Sequence, residues 1–239
     1  MKITIFTPVY GRKNATFKTI ESIHKNTDYP FEHIIIDNNF PYPDGTDEIL
    51  EEFKTKYKNI KIIKNDINKG ISLSYYQALL VSDADIYIKI DNDIVVKTLG
   101  YLEILVEVYK NIGKNWFLFV LGGTILNVSY KFNIFGKENV GKYQVEWMNH
   151  ISSPFYSTPH FIIKKIGYAH PFISLHSLED SIFTKKLKKY GFKIGRIRNI
   201  EGFLLREEDK FEYKSLSWRE NHKFRYDLKH HNYVKSKIR

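Results

Sequence analysis

Residues 86–90 read Ile86-Tyr87-Ile88-Lys89-Ile90, and the run stops abruptly at Asp91-Asn92-Asp93. β-Branched and aromatic residues favour a strand, and an open α/β sheet binds its ligands at the carboxyl ends of its strands. Two carboxylates placed there, two residues apart, offer hard oxygen ligands of the kind that hold Mg²⁺ or Mn²⁺ under a diphosphate. Such a pair is also what a solvated turn contains, so the meaning of Asp91 and Asp93 depends on the rest of the chain.

Working outward, short β-rich runs alternate with helical patterns throughout the first half. Residues 2–7 read as a strand ended by Pro8. Residues 14–25 carry Ala15, Phe17, Ile20 and Ile23 at helical spacing. A second strand at 33–36 closes on Asp37. Residues 46–57 form a helix with Ile49, Leu50, Phe53 and Tyr57 on one face. A strand at 60–64, a helix at 72–81, the 86–90 strand, a helix at 99–109 and a strand at 116–121 complete the series. This alternation predicts a mostly parallel sheet flanked by helices. From about residue 124 the pattern loosens, and 127–160 reads as loops with a short hairpin. Order returns with a strand at 161–163 and a helix at 181–190 that Gly191 stops.

Composition sets the outer bounds. The chain has 239 residues, 43% of them hydrophobic and 15% aromatic, enough for a large folded core. There is no cysteine, which excludes disulfides and thiolate chemistry. No apolar run approaches the roughly 20 residues needed to span a bilayer, and residues 1–6 are too short for a signal peptide. The expected location is therefore the cytoplasm, with peripheral attachment to a membrane left open. The net charge of +10, from 37 basic and 27 acidic residues, favours anionic partners without choosing among them.

The order of motifs resembles that of the family 2 glycosyltransferases with the GT-A fold. The opening Thr7-Pro8-Val9-Tyr10-Gly11-Arg12 looks like that family's first strand and turn. Ile34-Ile35-Ile36-Asp37-Asn38-Asn39 with Asp44-Gly45-Thr46 is similar to its second strand and the acid that contacts the base. Asn68-Lys69-Gly70 matches its turn before the third helix, and Asp91-Asn92-Asp93 stands where the family carries a DxD. Residues 161–168 resemble a strand and Gly-aromatic turn, and Leu178-Glu179-Asp180 resembles the Glu-Asp motif. The match spans roughly residues 3–200.

The resemblance implies transfer of a sugar from a nucleotide diphosphate sugar, a UDP-sugar above others, with inversion at the sugar. Asp91 and Asp93 are implied as metal ligands for Mn²⁺ or Mg²⁺, with His222 as a third metal or phosphate contact. Thr7, Pro8, Tyr10, Arg12, Asp37, Asn68, Gly70, Asp91 and Asn92 are implied donor contacts. An inverting enzyme needs a carboxylate base for the acceptor hydroxyl, and Asp180, with Glu179 as alternate, takes that role. The same Ser177-Leu178-Glu179-Asp180 also reads as a capping box at a helix start. The acceptor class stays open among a glycan, a lipid-linked saccharide, a protein and a nucleic acid.

The chain departs from the family in places. Tyr75 stands where members often have Arg, the 37–44 segment is long and rich in proline, and 197–208 contains no histidine. A division follows into a glycosyltransferase domain at 1–221, with a nucleotide-sugar half at 1–123 and an acceptor half at 124–221. The basic, aromatic extension at 222–239 is a candidate contact for anionic surfaces. Two rivals compete. A haloacid-dehalogenase-type phosphatase would use Asp91 as nucleophile, but its motif opens the fold, whereas several strands precede Asp91. A non-enzymatic nucleic-acid-binding protein would use the basic tail and leave the acids at strand ends without a role.

Overall fold

The computed structural model describes residues 1–112, 119–120, 124–125, 134–150, 154–168 and 179–205. Strand β1 (Ile3–Val9) leads into helix α1 (Lys13–Lys25), and β2 (Glu32–Asp37) into α2 (Thr46–Lys56). Strand β3 (Ile60–Lys64), helix α3 (Gly70–Val81) and strand β4 (Ile86–Ile90) follow, then the short β5 (Ile94–Val96) and α4 (Tyr101–Asn111). Two-residue strands β6 (Phe119–Val120) and β7 (Thr124–Ile125) precede a hairpin of β8 (Ile134–Val140) and β9 (Tyr143–Met148). Strand β10 (Phe155–Pro159), helices α5 (His160–Ile166) and α6 (Glu179–Lys189), and strands β11 (Ile194–Ile197) and β12 (Glu201–Leu204) complete the described chain.

The main sheet runs β3-β2-β1-β4-β10-β6-β11-β9-β8. Its first four strands are parallel, and β10 then pairs antiparallel with β4. All residues of β1 and β4 are buried, as expected for parallel strands covered on both faces. Chain order reverses at β1, which lies between β2 and β4. The carboxyl ends of β1 and β4 therefore flank the crevice where an open α/β sheet takes its ligand.

Alternation along β4 decides what each layer receives. Ile86, Ile88 and Ile90 pack with Ile3 and Ile5 of β1 and with Tyr101, Leu102 and Leu105 of α4. Tyr87 faces the other way, among Phe6, Tyr75 of α3, Ile162 and Ile163 of α5, and Phe183 and Leu187 of α6. Lys89 shares that second face by the two-residue period of a strand.

The first-half elements fall close to their expected positions. Segment 161–163 does not: it belongs to α5, and the strand of this region is β10 just before it. Its isoleucines have strand propensity, but Ile162, Ile163 and Ile166 are buried while Phe161, Lys164 and Lys165 are exposed, which is one helical face. The 127–160 segment, expected to be mostly loop, contains the β8–β9 hairpin and β10. Helix α6 begins at Glu179, two residues before the expected start, so Glu179 and Asp180 lie inside its first turn. Residues 177–178 of the expected capping box, His222 and the 222–239 extension lie outside the described residues.

Candidate active site

The site grows from the turn after β1. Gly11 has φ +65°, and a Cβ there would stand 2.7 Å from the Phe40 ring, so the close approach requires glycine. Arg12 follows with φ 65°, a left-handed conformation uncommon outside glycine. This bend turns Arg12 back across the sheet, where Nη1 donates to Asp93 Oδ2 at 2.7 Å and Nη2 donates to the Leu205 carbonyl at 3.2 Å. Asn92, between the two acids, donates from Nδ2 to Thr16 Oγ1 at 2.9 Å and to the Gly11 carbonyl at 3.2 Å. The Asp91-Asn92-Asp93 turn is thus tied to the first loop and the start of α1 through Asn92 and Asp93. Leu205 N–H donates to the Asp93 carbonyl at 2.9 Å, which joins the second, three-stranded sheet of β5, β12 and β7 to the same turn.

Asp91 has a different partner. Its Oδ1 lies 2.8 Å from Lys89 Nζ, and the Lys89 side chain is only 2% exposed. This is a close, buried ion pair made through one carboxylate oxygen. Burial alone would lower the Lys89 pKa; attraction to Asp91, then to Asp180 and Glu179, outweighs it and raises the pKa. The two acids of α6 thus act on the Lys89 charge in the same direction as the strand-end Asp91. Burial first, with repulsion from Asp93 and Glu179, lifts the Asp91 pKa to about 6 against the pull of Lys89.

The side chains of Asp91 and Asp93 are 23% and 20% exposed. Arg12 engages one oxygen of Asp93 and Lys89 one oxygen of Asp91. Each carboxylate has a second oxygen, and two hard oxygen donors suit Mg²⁺ or Mn²⁺, which usually take one or two carboxylates and complete the shell with phosphates and water. No group of three or more His, Cys, Asp or Glu arranged to hold a metal occurs among the described residues. The two carboxylates fit a cation that takes the rest of its shell from phosphate and water.

The end of β2 builds a second part of the site. Asp37 is buried, and its Oδ1 accepts the Asn39 N–H at 3.0 Å. Burial, reinforced by nearby Asp47, lifts its pKa to about 6 against the opposing Asn39 N–H and Lys64. A polar network braces the next residue. Asn38 Nδ2 donates to Ser74 Oγ at 3.1 Å, while its Oδ1 accepts from Asn65 Nδ2 at 2.9 Å and from the Lys69 N–H at 3.2 Å. Gln77 closes the network on Asn65 at 2.7 Å. Asn68 Oδ1 accepts the Gly70 N–H at 2.9 Å and shapes the entry to α3, where Gly70 has φ +73°.

The remaining expected residues also have partners within the fold. Thr7 is fully buried and its hydroxyl meets His33 Nε2 at 3.0 Å, in a chain that continues to His24. Pro8 is buried within β1. Tyr10 packs edge-on against Phe40, 5.1 Å between centroids, so the long proline-rich loop covers the β1 turn. Tyr75 is buried between Phe6 and Tyr168 and serves the core. Sequence reasoning missed Lys89, Thr16 and the Asn38 network. Lys89 carried a legible signal, a charge inside an otherwise apolar strand; Thr16 and Asn65 carried none.

A family model, glycosyl transferase family 2, matches residues 4–159. The chain belongs to that family. The glycosyl transferase match ends with β10, so α6 and its acids lie beyond it. Among solved structures, S. aureus TarS 1–349 superposes with a TM-score of 0.60 at 18% identity, covering 81% of this chain and 58% of that one. GalNAc-T7 with UDP, GalNAc and Mn²⁺ gives 0.65 at 12% identity, covering 85% and 43%. The mannosyltransferase PcManGT from Pyrobaculum calidifontis, with GDP-Man and Mn²⁺, gives 0.59 at 12% identity, covering 80% and 56%. This chain thus spans less than two thirds of each of these chains, and the likeness is one of fold. No curated protein sequence is significantly similar to it.

Proposed function

We propose that this chain transfers a sugar from a nucleotide diphosphate sugar, with inversion, to an acceptor hydroxyl, and that it requires a divalent metal. One observation carries the reading: Asp91 and Asp93 end β4 beside the β1 turn, with Arg12 donating to Asp93 and the buried Lys89 paired with Asp91. Glu179 and Asp180, which open α6, are the acids we assign to the acceptor side. A phosphatase reading leaves Glu179 and Asp180 without work.

In the proposed reaction Asp37 accepts a base N–H, and Arg12 offers its guanidinium to the diphosphate. Asp91 and Asp93 would hold Mn²⁺ or Mg²⁺, whose chemistry there is Lewis-acid neutralisation of the charge on the departing diphosphate. The acceptor oxygen attacks the anomeric carbon while Asp180 takes its proton. The bond from that carbon to the diphosphate oxygen breaks, and its electron pair leaves with the nucleotide. The fold relatives carrying UDP, GDP-Man and Mn²⁺ support the donor class and the metal; a UDP-sugar is the preferred donor by the family resemblance.

The test is a thermal-shift panel of UDP, GDP, UDP-GlcNAc, UDP-glucose and GDP-mannose, each with Mn²⁺ or with a chelator. Stabilisation by a uridine ligand that depends on Mn²⁺ is expected. Indifference to every nucleotide in both conditions would reject the proposal.

A further inference from the structure

We propose that Lys89 is a positioning residue shared by both halves of the site, holding Asp91 on the donor side and the first turn of α6 on the acceptor side. The inference rests on the glycosyltransferase reading and deepens it.

A lysine in the interior of β4 is costly. Lysine is almost never fully buried unless paired, and an ammonium group taken out of water costs several kcal/mol per ion by general estimates. An apolar residue at position 89 would continue the pattern of β4 and avoid that cost. Lys89 is nevertheless 1% exposed. Its β10 neighbour in register is Tyr156, and Nζ lies 5.5 Å from the centre of that ring. The Tyr156 hydroxyl meets the Tyr168 hydroxyl, and the Tyr168 ring lies 4.8 Å from that of Phe183 in α6. The Tyr168 carbonyl in turn accepts from Lys186 of α6. An aromatic wall therefore leads from Lys89 to the helix that carries Glu179 and Asp180, and Asp91 closes the other side at 2.8 Å.

This placement gives the ammonium a task that packing alone does not require. Asp91, Glu179 and Asp180 carry like charge and come from elements far apart in sequence. Removing the Lys89 charge leaves their mutual repulsion less compensated, with or without a metal on Asp91 and Asp93, and favours movement of the α6 turn away from the end of β4. Lys89 touches no reacting atom in this arrangement; it acts through the acids it gathers.

The absence of cysteine from the chain permits a direct test. Lys89→Met keeps the bulk and removes the charge. Lys89→Cys introduces a sole thiol that 2-bromoethylamine, applied in denaturant before refolding, converts into a close lysine analogue with its ammonium group restored. The readout is hydrolysis of the best donor from UDP-GlcNAc, UDP-glucose and GDP-mannose, with circular dichroism and melting temperature recorded alongside. A fall in kcat of at least a hundredfold is expected for Lys89→Met, with the fold retained. Aminoethylation of Lys89→Cys should recover at least a tenth of wild-type kcat. In an Asp180→Asn background the Lys89→Met loss should shrink by at least threefold, because one of the acids through which Lys89 acts is already gone.

Activity of Lys89→Met within threefold of wild type would overturn the proposal, as would a loss that multiplies fully with that of Asp180→Asn. Should Lys89→Met fail to fold, Lys89→Gln carries the same comparison; if neither neutral variant folds, Lys89 is a structural residue and the proposal falls. A wild-type chain that binds and hydrolyses no nucleotide sugar would instead reject the proposed function and Lys89 with it. An active wild type beside an unaffected Lys89→Met rejects this inference alone.

Discussion

Arg12 and Asp93, 81 residues apart in sequence, meet through a 2.7 Å charged hydrogen bond that spans the crevice between β1 and β4. The contact depends on a strained backbone, since Arg12 has φ 65°. Left-handed conformation costs a non-glycine residue roughly 1–2 kcal/mol. A partly exposed ion pair returns about 1 kcal/mol or less, so stability alone does not account for the arrangement. Its functional sense is that the guanidinium is held where a diphosphate and its metal are proposed to bind.

Two substitutions at Arg12 separate strain from binding. Arg12→Ala keeps the left-handed penalty, whereas Arg12→Gly removes it, so the glycine variant should be more stable than the alanine variant by about 1 kcal/mol. Calorimetric melting of the pair checks this. Both should bind UDP with Mn²⁺ more weakly, by roughly tenfold or more if a charged hydrogen bond to phosphate is lost. Unchanged affinity in both would remove Arg12 from the donor site.

Asp93→Asn tests the metal. At a hundredfold excess over its dissociation constant a ligand stabilises a protein by about 2.7 kcal/mol. UDP with Mn²⁺ should give a shift of that order in the wild type and only the chelator-level shift in the variant. Equal Mn²⁺-dependent shifts in both would exclude Asp93 as a ligand.

Asp37 predicts a pH dependence. Its pKa is lifted to about 6 in the folded chain, chiefly by burial. Between its ordinary value near 4 and that point the folded state binds more protons than the unfolded one. Its contribution to stability therefore falls as pH rises through this window and levels off above about 6. Nucleotide affinity should move the opposite way, because the carboxylate is the better acceptor for a base N–H. UDP affinity measured from pH 5 to 8 should rise through about pH 6, and Asp37→Asn should flatten that rise. A wild-type profile without this inflection would argue against Asp37 as the base contact.

The same residues show what a sequence can and cannot disclose. Strands β1 to β4 were legible because their β-rich runs are local signals; the end of the first was misplaced, since β1 continues through Pro8 to Val9 in register with β2. Asp91 and Asp93 were legible as a pair for the same reason. The partners of those acids were not: Arg12 reaches Asp93 only through a left-handed bend, and Asn92 reaches Thr16 only because β1 and β4 are neighbours. Segment 161–163 misled because isoleucine serves both strand and helix; burial of Ile166, one turn after Ile162, decides for the helix. Tyr75 was legible only as a departure from a pattern, and its burial against Phe6 and Tyr168 belongs to tertiary packing.

The two acids that open α6 can be told apart by measuring stability and turnover side by side. Glu179 is 7% exposed, whereas Asp180 is only partly buried. A base must reach the acceptor hydroxyl, and the more accessible carboxylate fits that need. Both sit in the first turn of a helix, where a negative charge adds roughly 0.3–1 kcal/mol through the helix dipole. Asp180→Asn should therefore lose no more than about 1 kcal/mol of stability and bind UDP with Mn²⁺ as the wild type does. Its turnover should fall by roughly 10² to 10⁴, the usual contribution of general base catalysis. Glu179→Gln should show the reverse balance, with a lower melting temperature from altered buried electrostatics and a smaller loss of turnover per folded molecule. Turnover that survives in Asp180→Asn and collapses in Glu179→Gln, with both variants folded, would assign the base to Glu179.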